Sequence, residues 1–366
     1  MKVALVHDWM NQIGGAEDVL EALVEMFPDA PIYTSLYAPD RMPDHWRNWD
    51  IRPSFINKLP FSHRRQQFYF PLYPFAFEQH DLHGYDLVIS NKSGFCHGVI
   101  TGPDTVHICY CLTPTRYVWR YQQYAEQEQL GWLTRAILPP FLTQLRQWDR
   151  LAADRVDHFV AISQEVRRRI AKIYRRESDI IYPPVDTGRF NICREVEDYY
   201  LLVGRLVPYR RIDLLIEAFN RMKRPLRIAG SGRDRARLEA LAGPTIEFLG
   251  YVPDEELPPL LAKCRAFMFP GEEDFGIAPI QAMAAGRPVI AYAAGGALET
   301  VVDGITGTFF AEQTVESIIN AVEGFDTTQI DPQRIRHYAQ KFDTVLFKQQ
   351  ILNLIEEKLG QNQEIY

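Results

Sequence analysis

Cysteine is scarce in this 366-residue chain: five residues, Cys96, Cys109, Cys111, Cys193 and Cys264, none in a CxxC spacing. That removes the common zinc and dithiol-redox motifs and leaves a reducing cytoplasm as the simplest setting. Cys109 and Cys111 share a face of an expected strand, where core packing outweighs metal binding. No run of about 18 apolar residues occurs, so no membrane-spanning helix is expected. The N-terminal MKVALVHDWM has too short an apolar run for a signal peptide and reads as a first strand. GxGxxG is absent, which disfavours a nicotinamide or flavin site. Positive charge is not in excess either: the net charge of −7 argues against nucleic acid as the main partner. No internal repeat or low-complexity segment is present.

What is present is an alternation. Hydrophobic content of 46% and charged content of 24% are those of a globular chain long enough for two domains. Apolar runs predict strands at 2–7, 86–90, 105–110, 157–162, 199–203, 225–229, 245–249, 265–269 and 287–292. Helical patterns fit 15–26, 132–154, 163–175, 211–222, 233–242, 254–263 and 277–285. Such alternation predicts an α/β chain of parallel sheets covered by helices on both faces. The pattern pauses at IYPPVDTGRF, where Pro183-Pro184 continues neither a ladder nor a helix. The expected organisation is therefore a first domain over 1–187, a second over 188–342, and a C-terminal segment over 343–366. The amphipathic VLFKQQILNLIEEKL of that segment is placed to pack back on the first domain. Two doubly wound, Rossmann-like sheets side by side are expected to face a cleft at the C-terminal ends of their strands, where ligands of such folds bind.

Three stretches point to a phosphorylated ligand. In HDWMNQIGGAEDVL, Gly14 and Gly15 let the backbone approach a ligand, and the next helix offers free N–H groups; plain turn chemistry explains the same pair. In LLVGRLVPYRRIDLLIEAF, Arg205 and Arg210 flank a short turn at a strand's C-terminal end and could clamp a diphosphate, whereas Arg211 reads as solvated. In GEEDFGIAPIQAMAAGRPVI, three acids precede Phe275-Gly276 at a helix N-terminus, where the dipole favours negative charge. A carboxylate there can also accept hydrogen bonds from sugar hydroxyls, and the amides of Gly276 and Ile277 can donate. Position 281 lies about two turns beyond Glu273 on the same side.

Together with YCLTPTRYVW, YPPVDTGRF, IAGSGRD, EFLGYVPDEEL and GGALETVVDG, taken in this order, these segments resemble glycosyltransferase family 4, the retaining enzymes of the GT-B fold. The likeness covers nearly the whole chain and is strongest to bacterial enzymes of surface polysaccharide synthesis, among them mannosyltransferases that use GDP-mannose. The resemblance implies transfer of a hexose from a nucleotide-sugar to a glycan or polyprenyl-linked acceptor with retention of anomeric configuration. It implies that Gly14 and Gly15 meet the donor diphosphate, that Arg205 and Arg210 bind it too, and that Glu273 holds hydroxyls of the transferred sugar. Phe275, Gly276 and Ile277 would lie near that sugar, position 281 at the ribose, and Leu249-Gly250 beside the base. No protein nucleophile, metal or separate cofactor is implied, and no DxD-type metal site stands in a suitable loop.

The chain departs from the family at three places. Gln281 stands where a second Glu is usual, Arg210 replaces a Lys, and Leu112 occupies the place of a His beside the donor sugar. Leu cannot donate, accept or titrate. Either Thr113, Arg116 or a backbone carbonyl takes over, or turnover is slow, or the chain binds donor without transferring it. An impaired nucleotide-sugar-binding protein is thus the alternative to a working enzyme; a GT-B epimerase fits poorly, because such enzymes lack the Glu273 segment. His7, with Asp8, ends the first strand where it could reach the cleft. On the acceptor side, RRQQFYFPLYPFAFE (64–78) and WLTRAILPPFLTQLRQW (132–148) read equally as core segments or as an apolar surface rimmed by cations. The second reading, with the family's habits, places the chain in the cytoplasm with peripheral contact at the inner face of the plasma membrane.

Overall fold

The computed structural model describes residues 1–64, 66–121 and 132–363, with side chains of 132–137 and 361–363 left aside. The chain divides into two compact units: Met1–Pro184 with the C-terminal segment from Phe347, and Val185–Leu346. The expected boundary at residue 187 moves to Pro184 for a local reason. Val185 N–H donates to Phe342 O, Thr344 N–H donates back to Val185 O, and the Thr187 hydroxyl bonds Asp343.

The first unit holds a seven-stranded sheet, all parallel: β1 (Val3–His7), β2 (Ile32–Thr34), β3 (Ile51–Pro53), β4 (Leu87–Lys92), β5 (Val106–Cys111), β6 (His158–Ala161) and β7 (Asp179–Ile180). Their spatial order is β3-β2-β1-β4-β5-β6-β7. The second unit repeats the plan with β8 (Tyr200–Val203), β9 (Leu226–Ala229), β10 (Ile246–Gly250), β11 (Ala266–Phe269), β12 (Val289–Tyr292) and β13 (Gly307–Phe310), ordered β10-β9-β8-β11-β12-β13. In both sheets the order reverses beside the first strand, at β1/β4 and at β8/β11. Loops leaving those strands on opposite faces open a crevice there, the usual ligand position of a doubly wound sheet.

Strands such as YLLV and AFMF are apolar throughout because helices bury both faces. Helices start where a side chain can replace the missing turn: Ser163 Oγ accepts from Val166 N–H, and Thr314 Oγ1 from Ser317 N–H. The helix expected from residue 254 begins at Leu257 instead. Pro258 and Pro259 are tolerated only in a first turn, so the acids before them remain outside. Cys109 and Cys111 are fully buried core residues of β5. In the last helix, Thr344–Gln363, the buried Phe347, Ile351, Leu354 and Ile355 form one stripe, with Phe347 edge-on to Tyr110 of β5 at 5.5 Å.

Two buried imidazoles and one half-buried make the first unit acid-sensitive. Burial pushes His107 down to about 3 and His80 to about 4; His97 falls to about 3 through burial and then the nearby Lys92 charge. The unfolded chain binds these protons near pH 6.5 and the folded chain does not, so stability falls as pH drops from there. The slope is up to about 1.4 kcal/mol per pH unit for each histidine. All six tryptophans (9, 46, 49, 119, 132 and 148) belong to this unit, so their fluorescence reports it alone. The urea midpoint should be clearly lower at pH 5 than at pH 7; equal midpoints would show that these rings are protonated in the native state.

Candidate functional site

In the second unit, β8 ends at Val203 and the chain passes through Gly204, exposed Arg205 and a short 3-10 turn, Pro208–Arg210. The turn closes with Arg211 in the left-handed region (φ 51°), its guanidinium paired with Asp213 at 3.3 Å. Arg210 is folded back over Gly204: a Cβ at that glycine would lie 1.6 Å from Arg210 Nη1. One strand over, β11 ends at Phe269 and leads through Pro270 and Gly271 into the acidic loop. There Glu273 Oε1 sits 2.6 Å from Arg210 Nη2, with both side chains less than one-fifth exposed. The pair joins the two strands of the switch point, and lines a small recess with Val203, Phe269 and Gly271.

The backbone beyond Glu273 is held in place. Its carbonyl accepts from Gly296 N–H at 2.8 Å, and a Cβ at Gly295 would fall 2.3 Å from that same oxygen. Phe275 is buried edge-on to Phe342 at 5.6 Å. Gly276 takes φ 94° against the Phe269 ring, which a side chain at 276 would strike at 2.8 Å. The helix Ile277–Ala284 then starts after Gly276, which as N-cap offers no side chain to its first turn. It buries Ile280, Ala282, Met283 and Ala284, and leaves Ile277 and Gln281, four residues apart, half-exposed on one side. Glu299 lies in the first turn of Ala297–Thr300. Leu249 and Gly250 end β10, the edge strand two places from β8; Gly250 O accepts from Gly230 N–H at 2.6 Å.

In the first unit, Gly14 is an exposed N-cap and Gly15 opens the helix Gly15–Met26. His7 is buried rather than available: Nε2 faces Glu17 Oε1 at 3.4 Å and Nδ1 faces Asn91 Nδ2 at 3.2 Å. Its position at the end of β1 seals it under that helix. Asp8 is buried too, and its carboxylate accepts the backbone N–H groups of Ser93, Gly94, Phe95 and Cys96 at 2.5–2.8 Å. Its role is thus to fix the loop after β4. Thr113 is likewise buried, while Arg116 is half-buried at the start of Arg116–Trp119, and Leu112 is half-buried with its N–H donated to Lys92 O at 2.8 Å.

Sequence reasoning missed what holds this last loop. Lys92 is fully buried; its Nζ reaches Thr115 Oγ1 at 3.2 Å, Thr113 O at 3.4 Å and Asp149 Oδ1 at 4.0 Å. Asp149 also takes Trp119 Nε1–H at 2.6 Å and Tyr174 O–H at 2.8 Å. A Lys ending a strand and an Asp within a helix carry no sign of such a partnership in the one-dimensional pattern. Of the aromatic stretch 64–78, Tyr73, Ala76 and Phe77 are core, whereas Phe68 and Phe75 are exposed at 71% and 58%; residue 65 lies outside the described residues. In the 132–148 stretch the side chains of 132–137 are likewise outside them. Among the described residues no group of three or more His, Cys, Asp or Glu could hold a metal ion, and no helix is long and apolar enough to cross a membrane.

Comparison with known proteins gives this arrangement a lineage. The family model for Glycosyltransferase Family 4 matches residues 13–189, and that for Glycosyl transferases group 1 matches residues 190–342. A GDP-mannose-dependent alpha-(1-6)-phosphatidylinositol monomannoside mannosyltransferase of Mycolicibacterium smegmatis is 32% identical over 226 residues, 53% of this chain and 57% of that protein. An O-antigen chain mannosyltransferase of Salmonella typhimurium is 26% identical over 220 residues, 57% and 62% of the two chains. The chain spans about half the length of the curated relatives it matches. Among solved structures, Anabaena HepE in complex with UDP and glucose superposes with a TM-score of 0.72 at 19% identity, over 97% of this chain and 99% of that one. The sucrose-phosphate synthase of Thermosynechococcus elongatus gives 0.78 at 19% identity, over 99% and 100%. At such identities these two structures speak for the fold. With its two halves matched in turn by the two glycosyltransferase models, on two Rossmann-like parallel-sheet units, the chain belongs to glycosyltransferase family 4 and has the GT-B fold.

Proposed function

We propose that the chain is a metal-independent, retaining glycosyltransferase that moves a hexose from a nucleotide-sugar, GDP-mannose being the first candidate, to a glycan or polyprenyl-linked acceptor. The observation that carries the reading is the Arg210–Glu273 pair at the β8/β11 switch point, a cation for phosphate beside a carboxylate for sugar hydroxyls. The mannosyltransferase relatives support the choice of sugar. Arg205 and Arg210 are assigned to the diphosphate and stabilise the charge on the leaving group. Gly14 and Gly15, at a helix N-terminus, are assigned to the same phosphates. Glu273 holds hydroxyls of the sugar, with the backbone of Phe275, Gly276 and Ile277 nearby; Gln281 takes the ribose, and Leu249-Gly250 the base. The leaving phosphate takes the acceptor's proton, so no protein nucleophile is required. Basic side chains and helix amides do the neutralising that a metal would otherwise do.

The test is a calorimetric titration with GDP, UDP, ADP and their sugar conjugates, with and without EDTA, followed by product analysis with the donor that binds. One nucleotide should bind in the micromolar range and EDTA should not weaken it. Binding of none would overturn the proposal. For the ribose assignment, Gln281→Ala should raise the nucleotide Kd about fivefold, the worth of roughly 1 kcal/mol of hydrogen bonding. An unchanged Kd would remove Gln281 from the site.

Leu112 favours a second reading, a protein that binds nucleotide-sugar without turning it over, because its side chain offers no proton and its amide is already committed to Lys92 O. Under the main proposal Leu112→His brings no gain in turnover beyond about tenfold, or a loss, short of the roughly 10²–10⁴-fold that general acid–base catalysis supplies. A gain far above that supports the binding-protein reading. Exposed Phe61, Phe68 and Phe75, on a stretch that also carries Lys58 and Arg64, support peripheral contact with an anionic lipid surface for a cytoplasmic enzyme.

A further inference from the structure

Arg210 and Glu273 form an ion pair with each other, although the proposed roles require each to face a ligand. The guanidinium rests against the Gly204 backbone, where a Cβ would fall 1.6 Å from its Nη1, and Gly271 packs on the Arg210 backbone, where a Cβ would fall 2.8 Å from Arg210 Cα. The Arg210 backbone is therefore held in place. The Glu273 backbone is equally fixed, by Gly296 N–H on its carbonyl and by Gly295 packed against it. With both backbones held, the adjustment falls to the side chains, and Glu273 Oε1 sits 2.6 Å from Arg210 Nη2. A guanidinium donates strongly to oxyanions in its plane, and a carboxylate already on it competes with an arriving phosphate.

We infer that Glu273 is a specificity-determining residue that discriminates intact donor from nucleoside diphosphate, by competing with the ligand's phosphate for Arg210. The inference rests on the donor-site reading above. A diphosphate reaches Arg210 only by displacing the carboxylate, which is then left partly desolvated beside a second anion. A nucleotide-sugar compensates, because its sugar hydroxyls donate to the displaced carboxylate. A nucleoside diphosphate has no such hydroxyls, so the carboxylate returns to Arg210 and pushes the diphosphate out. The ion pair thus lowers affinity for the product of transfer relative to the substrate, and speeds product release without any movement of the backbone.

The experiment is calorimetry of the native full chain, Glu273→Gln and Glu273→Gln/Arg210→Gln with GDP, GDP-mannose and inorganic pyrophosphate, or with the nucleotide that the native chain selects. Gln is isosteric and uncharged, so Glu273→Gln should bind the nucleoside diphosphate and pyrophosphate about tenfold more tightly, the order expected for one charge-assisted interaction released. Its affinity for the nucleotide-sugar should rise less or fall, so that the native preference for intact donor shrinks. The double variant should lose the gain, because the gain acts through Arg210. If the native chain binds nucleotide and Glu273→Gln binds the diphosphate no more tightly, the inference is wrong while the donor-site reading stands. If the native chain binds no nucleotide, the donor-site reading itself fails. Should Glu273→Gln not fold, Glu273→Asp serves: its shorter carboxylate must give a smaller gain of the same sign, and no gain overturns the inference.

Discussion

Asp149→Ala is expected to lower the unfolding free energy of the first unit by roughly 3–5 kcal/mol, the cost of breaking a buried ion pair from one side. Asp149 and Lys92 are both fully buried. Burial by itself would pull the lysine pKa down, yet the Asp149 carboxylate and other buried neighbours outweigh it and hold Lys92 above its usual value. A raised lysine pKa stabilises the fold at all pH values below the unfolded pKa, about 10.5, and that contribution is lost only as pH climbs through the folded value. Removing the carboxylate leaves the ammonium in contact with Thr115 Oγ1, Thr113 O and the face of Tyr174 at 5.4 Å, none of them charged, with the Asp8 carboxylate acting on it only as a weaker neighbour. It also strips partners from Trp119 Nε1–H and Tyr174 O–H. Urea unfolding followed by tryptophan fluorescence measures the effect within the first unit. Lys92→Met added to Asp149→Ala should recover part of the loss, since the stranded charge goes. A loss below about 1 kcal/mol in the single variant would mean that water reaches Lys92 and the pair is not sealed.

Arg210→Ala is expected to weaken binding of the cognate nucleotide on the order of 100-fold, and Arg205→Ala by about tenfold. A charge-assisted hydrogen bond to phosphate is worth roughly 1.5–3 kcal/mol, and the screened, exposed residue sits at the lower end. Arg205 is exposed, whereas Arg210 is 18% exposed and backed by Gly204. Arg210→Ala has a further cost: it leaves the Glu273 carboxylate facing phosphate with no cation between them. The loss should accordingly diminish in an Arg210→Ala/Glu273→Gln background. Calorimetric Kd values for the four proteins decide the matter. Equal losses for Arg205 and Arg210 would show that position relative to Glu273 is irrelevant.

Much of the fold was legible along the chain because the central strands are buried on both faces and so write themselves as uninterrupted apolar runs. The nine expected strands correspond to β1, β4–β6 and β8–β12. The four that were not read, β2, β3, β7 and β13, are two to four residues long. Segments such as Ile32–Thr34 and Asp179–Ile180 have too few residues to establish a period of two. They are strands only because β1 and β6 present unpaired edges beside them. The site was legible to the extent that glycines and charges cluster at strand ends. Whether a given side chain is offered or sealed was not: His7, Thr113 and Arg205 all stand at strand ends, yet His7 and Thr113 are buried and Arg205 is exposed.

By itself the sequence determined the alternation of strands and helices, the glycine positions that permit backbone to approach backbone, and the family to which the order of motifs belongs. These are local properties, set by periodicity and by which residue types a turn or helix start accepts. Tertiary structure alone decided which charges meet. Arg210 and Glu273 are 63 positions apart in the chain and Lys92 and Asp149 are 57 apart; strand order brings the first pair together, and the packing of the helix Trp132–Ala152 beside the sheet brings the second. A salt bridge or a buried lysine depends on distance and dielectric between residues remote in sequence, and no pattern along one chain segment encodes either.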